Sequence, residues 1–275
     1  MTRLLAIADL HLARDVTKRA LEEVPDHPND WLIVAGDVAE RFADIEWAFG
    51  LLAERFAKVI WVPGNHELWF HPKLDEPRGV ARYETLVELA RSHGITTPED
   101  PFLLWPHAGE TLVIAPLFLL YDYSFRPANV EREEVVAWAR EWRNVSGDET
   151  RLSPKPFSSV DDWCAARLAS SEARLSEEVP SDARTILINH WPLRQGLIRI
   201  PRAPRFLPWC GTVETHDWHK RFRARTVVSG HLHTRRTDIV GGTVFEEVSL
   251  GYPRQWQQSR GIQSYFREII APENV

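Results

Sequence analysis

Trp31-Leu32-Ile33-Val34-Ala35-Gly36-Asp37, followed after one helical stretch by Lys58-Val59-Ile60-Trp61-Val62-Pro63-Gly64-Asn65-His66, decides the fold. Each is a short, mainly apolar run that stops at glycine and a polar side chain. Such a run reads as a strand buried on both faces that leads into a loop. Arg3 to Ala8, ending at Asp9, has the same form. Between the second and third runs, Ile45, Phe49, Leu52 and Phe56 share one helical face, with Asp44 at the expected N-cap. Strand, helix, strand in this order implies parallel pairing through a right-handed crossover.

Further along, Arg82 to Ser92 reads as a helix closed by Gly94, and Thr111 to Ala115 as a strand. Asp161 to Val179 reads as a helix starting at Asp161 or Asp162. Arg184 to Ile188 is a strand ending in Asn189-His190, and Thr226 to Val228 is one ending in Ser229-Gly230-His231. A hairpin turning at Gly241-Gly242 follows. Residues 120 to 160 break the alternation with Tyr121, Tyr123 and Phe125, a short charged helix around Glu131 to Trp142, and a turn at Pro154 and Pro156. This stretch has no core of its own, so it reads as an inserted cap or loop region within one domain spanning 1–275.

A net charge of −6 argues against a general nucleic-acid binder, which carries a basic excess. Cys164 and Cys210 are too few and too isolated for a disulfide framework or a CxxC site, and read as small buried side chains. The apolar run at Leu4 to Ala8 is too short for a signal peptide, and no later run could span a bilayer. A cytoplasmic protein without membrane or nucleic-acid partners is therefore expected.

Chemistry gathers at the strand ends. Asp9 and His11, Asp37, Asn65 and His66, His190, and His231 and His233 each follow an apolar strand. In open α/β sheets those ends face the ligand crevice, so five segments would deliver Asp, Asn and His to one place. Oxygen and imidazole donors favour Mn, Fe or Zn over thiophilic ions. Asp9-Leu10-His11 and His231-Leu232-His233 space two donors at i, i+2, which an extended segment sends to one side.

These motifs, with Gly36-Asp37, Gly64-Asn65-His66-Glu67 and Asn189-His190, resemble the signature of the calcineurin-like metallophosphoesterases over residues 9 to 233. The resemblance implies an α/β fold of the αββα sandwich type with two divalent or trivalent metal ions at its crest, of the Mn and Fe kind, with Zn as an alternative. It implies that Asp9, His11 and His233 hold one ion, that Asn65, His190 and His231 hold the other, and that Asp37 bridges both. His66 would stand beside the second ion as proton donor, and Glu67 could orient an imidazole. Two such ions, roughly 3.5–4 Å apart, can share a bridging hydroxide that attacks phosphorus in line.

Outside the signature, Phe118-Leu119-Leu120-Tyr121-Asp122-Tyr123-Ser124-Phe125, Trp209-Cys210-Gly211-Thr212 and Phe245-Glu246-Glu247-Val248-Ser249 resemble phosphopantetheinyl hydrolases, phosphodiesterases that release 4′-phosphopantetheine from acyl carrier proteins. Ala183 to Thr237 holds eleven basic residues against Glu214 and Asp217 alone, and a basic face would attract an acidic carrier protein. Tyr121, Tyr123, Trp191 and Trp209 are candidates for a groove around the pantetheine arm, and Arg194 is a further substrate-binding candidate. Each aromatic is equally readable as core. Two other readings stand beside this one: a phosphodiesterase or phosphatase for cyclic nucleotides or other small phosphoesters, and a non-catalytic binding scaffold. Of the remaining histidines, His27, His71, His93 and His107 read as structural, while His216 and His219 flank Asp217-Trp218 near the expected mouth.

Overall fold

The computed structural model describes residues 2–74, 76–105 and 110–270; His107 lies outside them. Two sheets lie face to face. The first has the order β10-β1-β2-β3, with β1 (Leu4–Ile7), β2 (His27–Val34) and β3 (Phe56–Trp61) parallel and β10 (Arg267–Ile270) antiparallel at the edge. The second has the order β4-β5-β6-β7-β9-β8. Here β5 (Leu112–Pro116), β6 (Arg184–Ile188), β7 (Ala224–Ser229) and β9 (Thr243–Glu247) are parallel. The edges β4 (Leu103–Trp105) and β8 (Thr237–Val240) are antiparallel.

The twofold alternation of strand side chains sorts the core into layers. Leu4, Ala6, Ile33 and Ile60 meet Leu112, Ile114, Ile186, Ile188 and Val228 between the sheets. Their neighbours Leu5, Ile7, Leu32, Val34, Val59 and Trp61 point outward, under α2 (Phe42–Arg55) and α4 (Val80–Ser92). On the far side Val113, Ala115, Leu187 and Val227 pack against Leu175 of α7 (Val160–Glu178). The result is the αββα sandwich, and every central strand is buried on both faces.

Several local expectations shift. Asp44 does not cap α2: that helix starts at Phe42, and Asp44 is drawn instead to Lys18, 2.5 Å away in α1 (Asp15–Glu22). The cap of α7 is Ser159, whose hydroxyl accepts from the Asp162 amide at 3.0 Å; Asp161 is held by Nε and Nη2 of Arg132. Both cysteines are free and buried. The 120–160 segment contributes Leu120, Tyr121, Tyr123, Val130, Val135, Ala139 and Leu152 to the same apolar cluster as β1–β3. No helix among the described residues is long and apolar enough to cross a membrane.

Candidate active site

The strand-end residues converge, and the backbone is bent to make them do so. Nine described non-glycine residues have positive φ, and five are Asp9, His11, Asp37, His231 and His233. Left-handed backbone at a non-glycine residue costs on the order of 1 kcal/mol or more and persists where the surroundings enforce it. Here it folds each loop sharply back over its strand end. Gly36 and Gly64 allow the close approach. At Gly36, where φ is 84°, a Cβ would lie 2.6 Å from His190 Nδ1 and from the Gly64 amide; at Gly64 it would collide with Asp37 Oδ1.

Asp9 sits at the base, fully buried. Its Oδ2 accepts from the His231 amide at 3.0 Å and the Ser249 hydroxyl at 2.7 Å, while Oδ1 lies 3.0 Å from His233 Nε2. His233 Nε2 is 3.1 Å from His11 Nε2, and His233 Nδ1 donates to Gln255 Oε1 at 2.9 Å. Asp37 faces this set: its Oδ2 is 3.5 Å from His190 Nε2, 3.8 Å from His66 Nε2 and 4.0 Å from His11 Nε2. Asp37 Oδ1 is taken by the His66 amide at 2.9 Å. The His190 ring is fixed by Nδ1, which donates to the Ala35 carbonyl at 2.8 Å.

Burial drives the charge states. It lowers the pKa of His11 and His231, and brings His190 down to about 4, so these imidazoles are neutral near pH 7. Burial works to raise Asp9 too, but the histidines, His233 foremost, hold it below the ordinary carboxylate range. Asp37 is pushed well up by burial and then by the charges of Asp9 and Glu67. His233, disfavoured as a cation by burial, is raised by its contact with Asp9.

Three buried polar atoms of this cluster have no hydrogen-bond partner: Asn65 Oδ1, His190 Nε2 and His231 Nε2. A buried polar group left unpaired costs about 1–3 kcal/mol. Ligand-type atoms buried without a partner are resolved by a cation, and the oxygen–imidazole donor set fits one of the Mn, Fe or Zn type. Asp9 with His11 and His233, His11 with Asp37 and His66, and Asp9 with Asp37 and His190 each bring three ligand atoms within 4.8 Å of one another.

Glu67 does not orient an imidazole. It is fully buried and accepts the amides of Asp37 at 2.9 Å, Val38 at 2.8 Å and Gly64 at 3.0 Å, stapling two site loops together. Glu40 takes the role expected of Glu67: its Oε1 is 3.2 Å from His66 Nδ1. Glu40 stands three residues after Asp37, close enough in sequence to have been suspected. Tyr252 stacks on His11 with ring centroids 4.3 Å apart. Gln255 also escaped the sequence reading, since nothing local marks it, and Ser249, quoted there only within a resembling segment, was given no part in the site.

The aromatic groove does not form from the expected residues. Tyr121, Tyr123, Trp191 and Trp209 are all buried core side chains. Tyr123 and Trp209 share Glu149 Oε1 as acceptor at 2.8 and 2.7 Å, and Trp191 packs its ring on His190. Arg194 donates to the His216 carbonyl at 2.8 Å and lines a separate small cleft with Leu232 and Phe245. The cleft over the cluster, about 650 Å³, is lined by His11, His66, Trp69, Glu40 and Tyr252, with Arg14, Arg151 and Arg254 among its walls. Of the eleven basic residues in 183–237, five are ion-paired away from the cleft. Arg184 and Arg225 pair with Glu110, Arg205 with Glu141, Arg221 with Glu172 and Arg236 with Asp238. Charge counted along the chain overstated the free basic surface there.

A two-sheet sandwich with paired Asp and His loops at one crest defines a metallophosphoesterase. The calcineurin-like phosphoesterase family model matches residues 2–235, and the chain belongs to that family. The family implies two metal ions. At finer grain, the [acyl-carrier-protein] phosphodiesterase PptH of Mycobacterium tuberculosis is 47% identical over 272 residues, covering 97% of this chain and 83% of that protein. The crystal structure of that organism's phosphopantetheinyl hydrolase (PptH) matches with a TM-score of 0.92 at 45% identity, covering 99% of each chain.

Proposed function

We propose that this chain hydrolyses the phosphodiester that joins 4′-phosphopantetheine to an acyl carrier protein. The full-length likeness to PptH carries the reading, because it extends through segments outside the metal signature. In this proposal Asp9, His11 and His233 hold one ion, Asn65, His190 and His231 hold the other, and Asp37 serves both. Oxygen and imidazole donors suit Mn, Fe or Zn rather than thiophilic ions, and the family resemblance favours a Mn and Fe pair, with Zn as the alternative. Such ions, when bound, neutralise phosphoryl oxygens and acidify water. The protein's own part is to orient and to move protons. His66 holds Nδ1 against Glu40, which fixes the ring, and presents Nε2 to the site, where it hands a proton to the departing serine oxygen.

Residues 1–275 act as one catalytic unit in this reading, in the cytoplasm, with neither nucleic acid nor membrane as partner. The carrier protein's acidic face meets the arginines of the cleft, Arg14 and Arg254, with Arg151, itself 3.5 Å from Glu40, beside them. The test is mass spectrometry of a holo-acyl carrier protein incubated with enzyme and Mn(II). The expected result is conversion to the apo mass. Cleavage of small diesters with the carrier untouched would move the assignment to a small-molecule phosphodiesterase. A protein that takes up no Mn, Fe or Zn would leave only a binding scaffold.

A further inference from the structure

The amide of Asn65 has two ends, and only one has a protein partner. Its Nδ2 donates to Asp148 Oδ1 at 2.9 Å, which leaves Oδ1 without a partner. Asp148 comes from the 120–160 segment, eighty-three residues away, and is itself buried. A carboxylate cannot donate to an amide oxygen, so this contact admits one orientation of Asn65. Asp148 Oδ1 also accepts from Trp69 Nε1 at 2.7 Å. Trp69 in turn lies against His66, with ring centroids 3.7 Å apart.

The segment around Asp148 is clamped beneath this loop. Phe70 donates its amide to the Arg151 carbonyl at 2.9 Å, and Trp69 bridges to Leu152. Gly147 permits the approach: a Cβ there would sit 2.9 Å from Trp69 Cζ2. The inserted segment therefore reaches the site from below.

We infer that Asp148 is a positioning residue, which holds the Asn65 oxygen toward the second metal and, through Trp69, sets the ring on which His66 rests. The inference rests on Asn65 being a metal ligand, as proposed above. An acceptor behind a ligand fixes its orientation, and losing such a partner costs roughly 10–100-fold in metal affinity.

The experiment titrates Mn(II) into metal-free wild type, Asp148→Asn and Asp148→Leu, reading the two binding steps by calorimetry and the number of ions per chain by elemental analysis. Asp148→Asn keeps an oxygen facing Asn65 and Trp69, so it should bind both ions as wild type does. Asp148→Leu should keep one step and weaken the other at least tenfold. If the leucine protein does not fold, Asp148→Ala takes its place with the same expected asymmetry. Two undisturbed steps in a folded Asp148→Leu or Asp148→Ala protein, or equal weakening of both, would overturn the inference. A wild type that binds no second ion would instead sink the reading of Asn65 beneath it.

Discussion

The two halves of the site differ in how well the protein satisfies its own atoms. In the Asp9, His11 and His233 half, side chains meet one another: Asp9 Oδ1 and His233 Nε2 are 3.0 Å apart, and His233 Nδ1 has Gln255 behind it. In the Asn65, His190 and His231 half, three ligand-type atoms face no partner. The first half is held together by an ion pair when metal-free. The second is held from behind, by Asp148 and the Ala35 carbonyl. Asp37 stands between them.

The harshest way to break this comparison is to remove its hinge. Asp37→Ala should abolish uptake of both ions and reduce turnover by more than the roughly 10–100-fold typical of an outer-layer change. Elemental analysis showing one ion retained would mean that Asp37 serves one half only. Next in size is His66→Ala, which should keep two ions yet slow alkyl diester cleavage by about 10²–10⁴-fold, the usual worth of a general acid. An aryl diester, whose leaving group needs no proton, should be affected far less. Equal losses on both esters would remove His66 from the proton-donor role.

Acid should weaken metal uptake. Asp37, raised by burial, and His233, raised by Asp9 against burial, both carry protons to higher pH than usual, and a metal must displace them. Each displaced proton weakens apparent affinity up to about tenfold per pH unit as pH falls below that group's raised pKa. His190, already neutral down to about 4, adds nothing above that pH. Calorimetry in buffers of different ionisation heat counts the released protons, and a count of zero refutes the assignment. The gentlest test sharpens the contrast itself. In metal-free protein, His231→Phe removes an unpartnered nitrogen and should raise stability by about 1 kcal/mol. His233→Phe breaks a charged contact and should lower it by about 1.5–3 kcal/mol. Denaturant melts showing the same sign for both would erase the distinction between the halves.

Much of this architecture was legible along the chain. The strands ending in Asp9, Asp37, Asn65, His190 and His231 are short apolar runs whose period and punctuation are local, and the strand–helix–strand order around α2 implied the parallel pairing of β2 with β3. The edges β4 and β10 were not: three or four residues against a neighbouring strand carry no period of their own. The strand-end donors were legible because each stands at a fixed offset from a strand.

What sequence could not supply was every relation that depends on where a side chain's partner lies. Glu67 and Glu40 differ by 27 positions and compete for one role, and only the folded loops decide that Glu67 staples amides while Glu40 takes His66. The arginines of 183–237 looked like a free surface until Glu110, Glu141 and Glu172 came to meet them. Asp148 lies 83 residues from Asn65 and shares no motif with it. Sequence by itself determined which residue types arrive at the crest, because strand pattern and glycine punctuation are properties of adjacent residues. Tertiary structure alone decided which of them are paired, which are left open and which arginines face the cleft, because hydrogen bonding and burial are settled by neighbours in space.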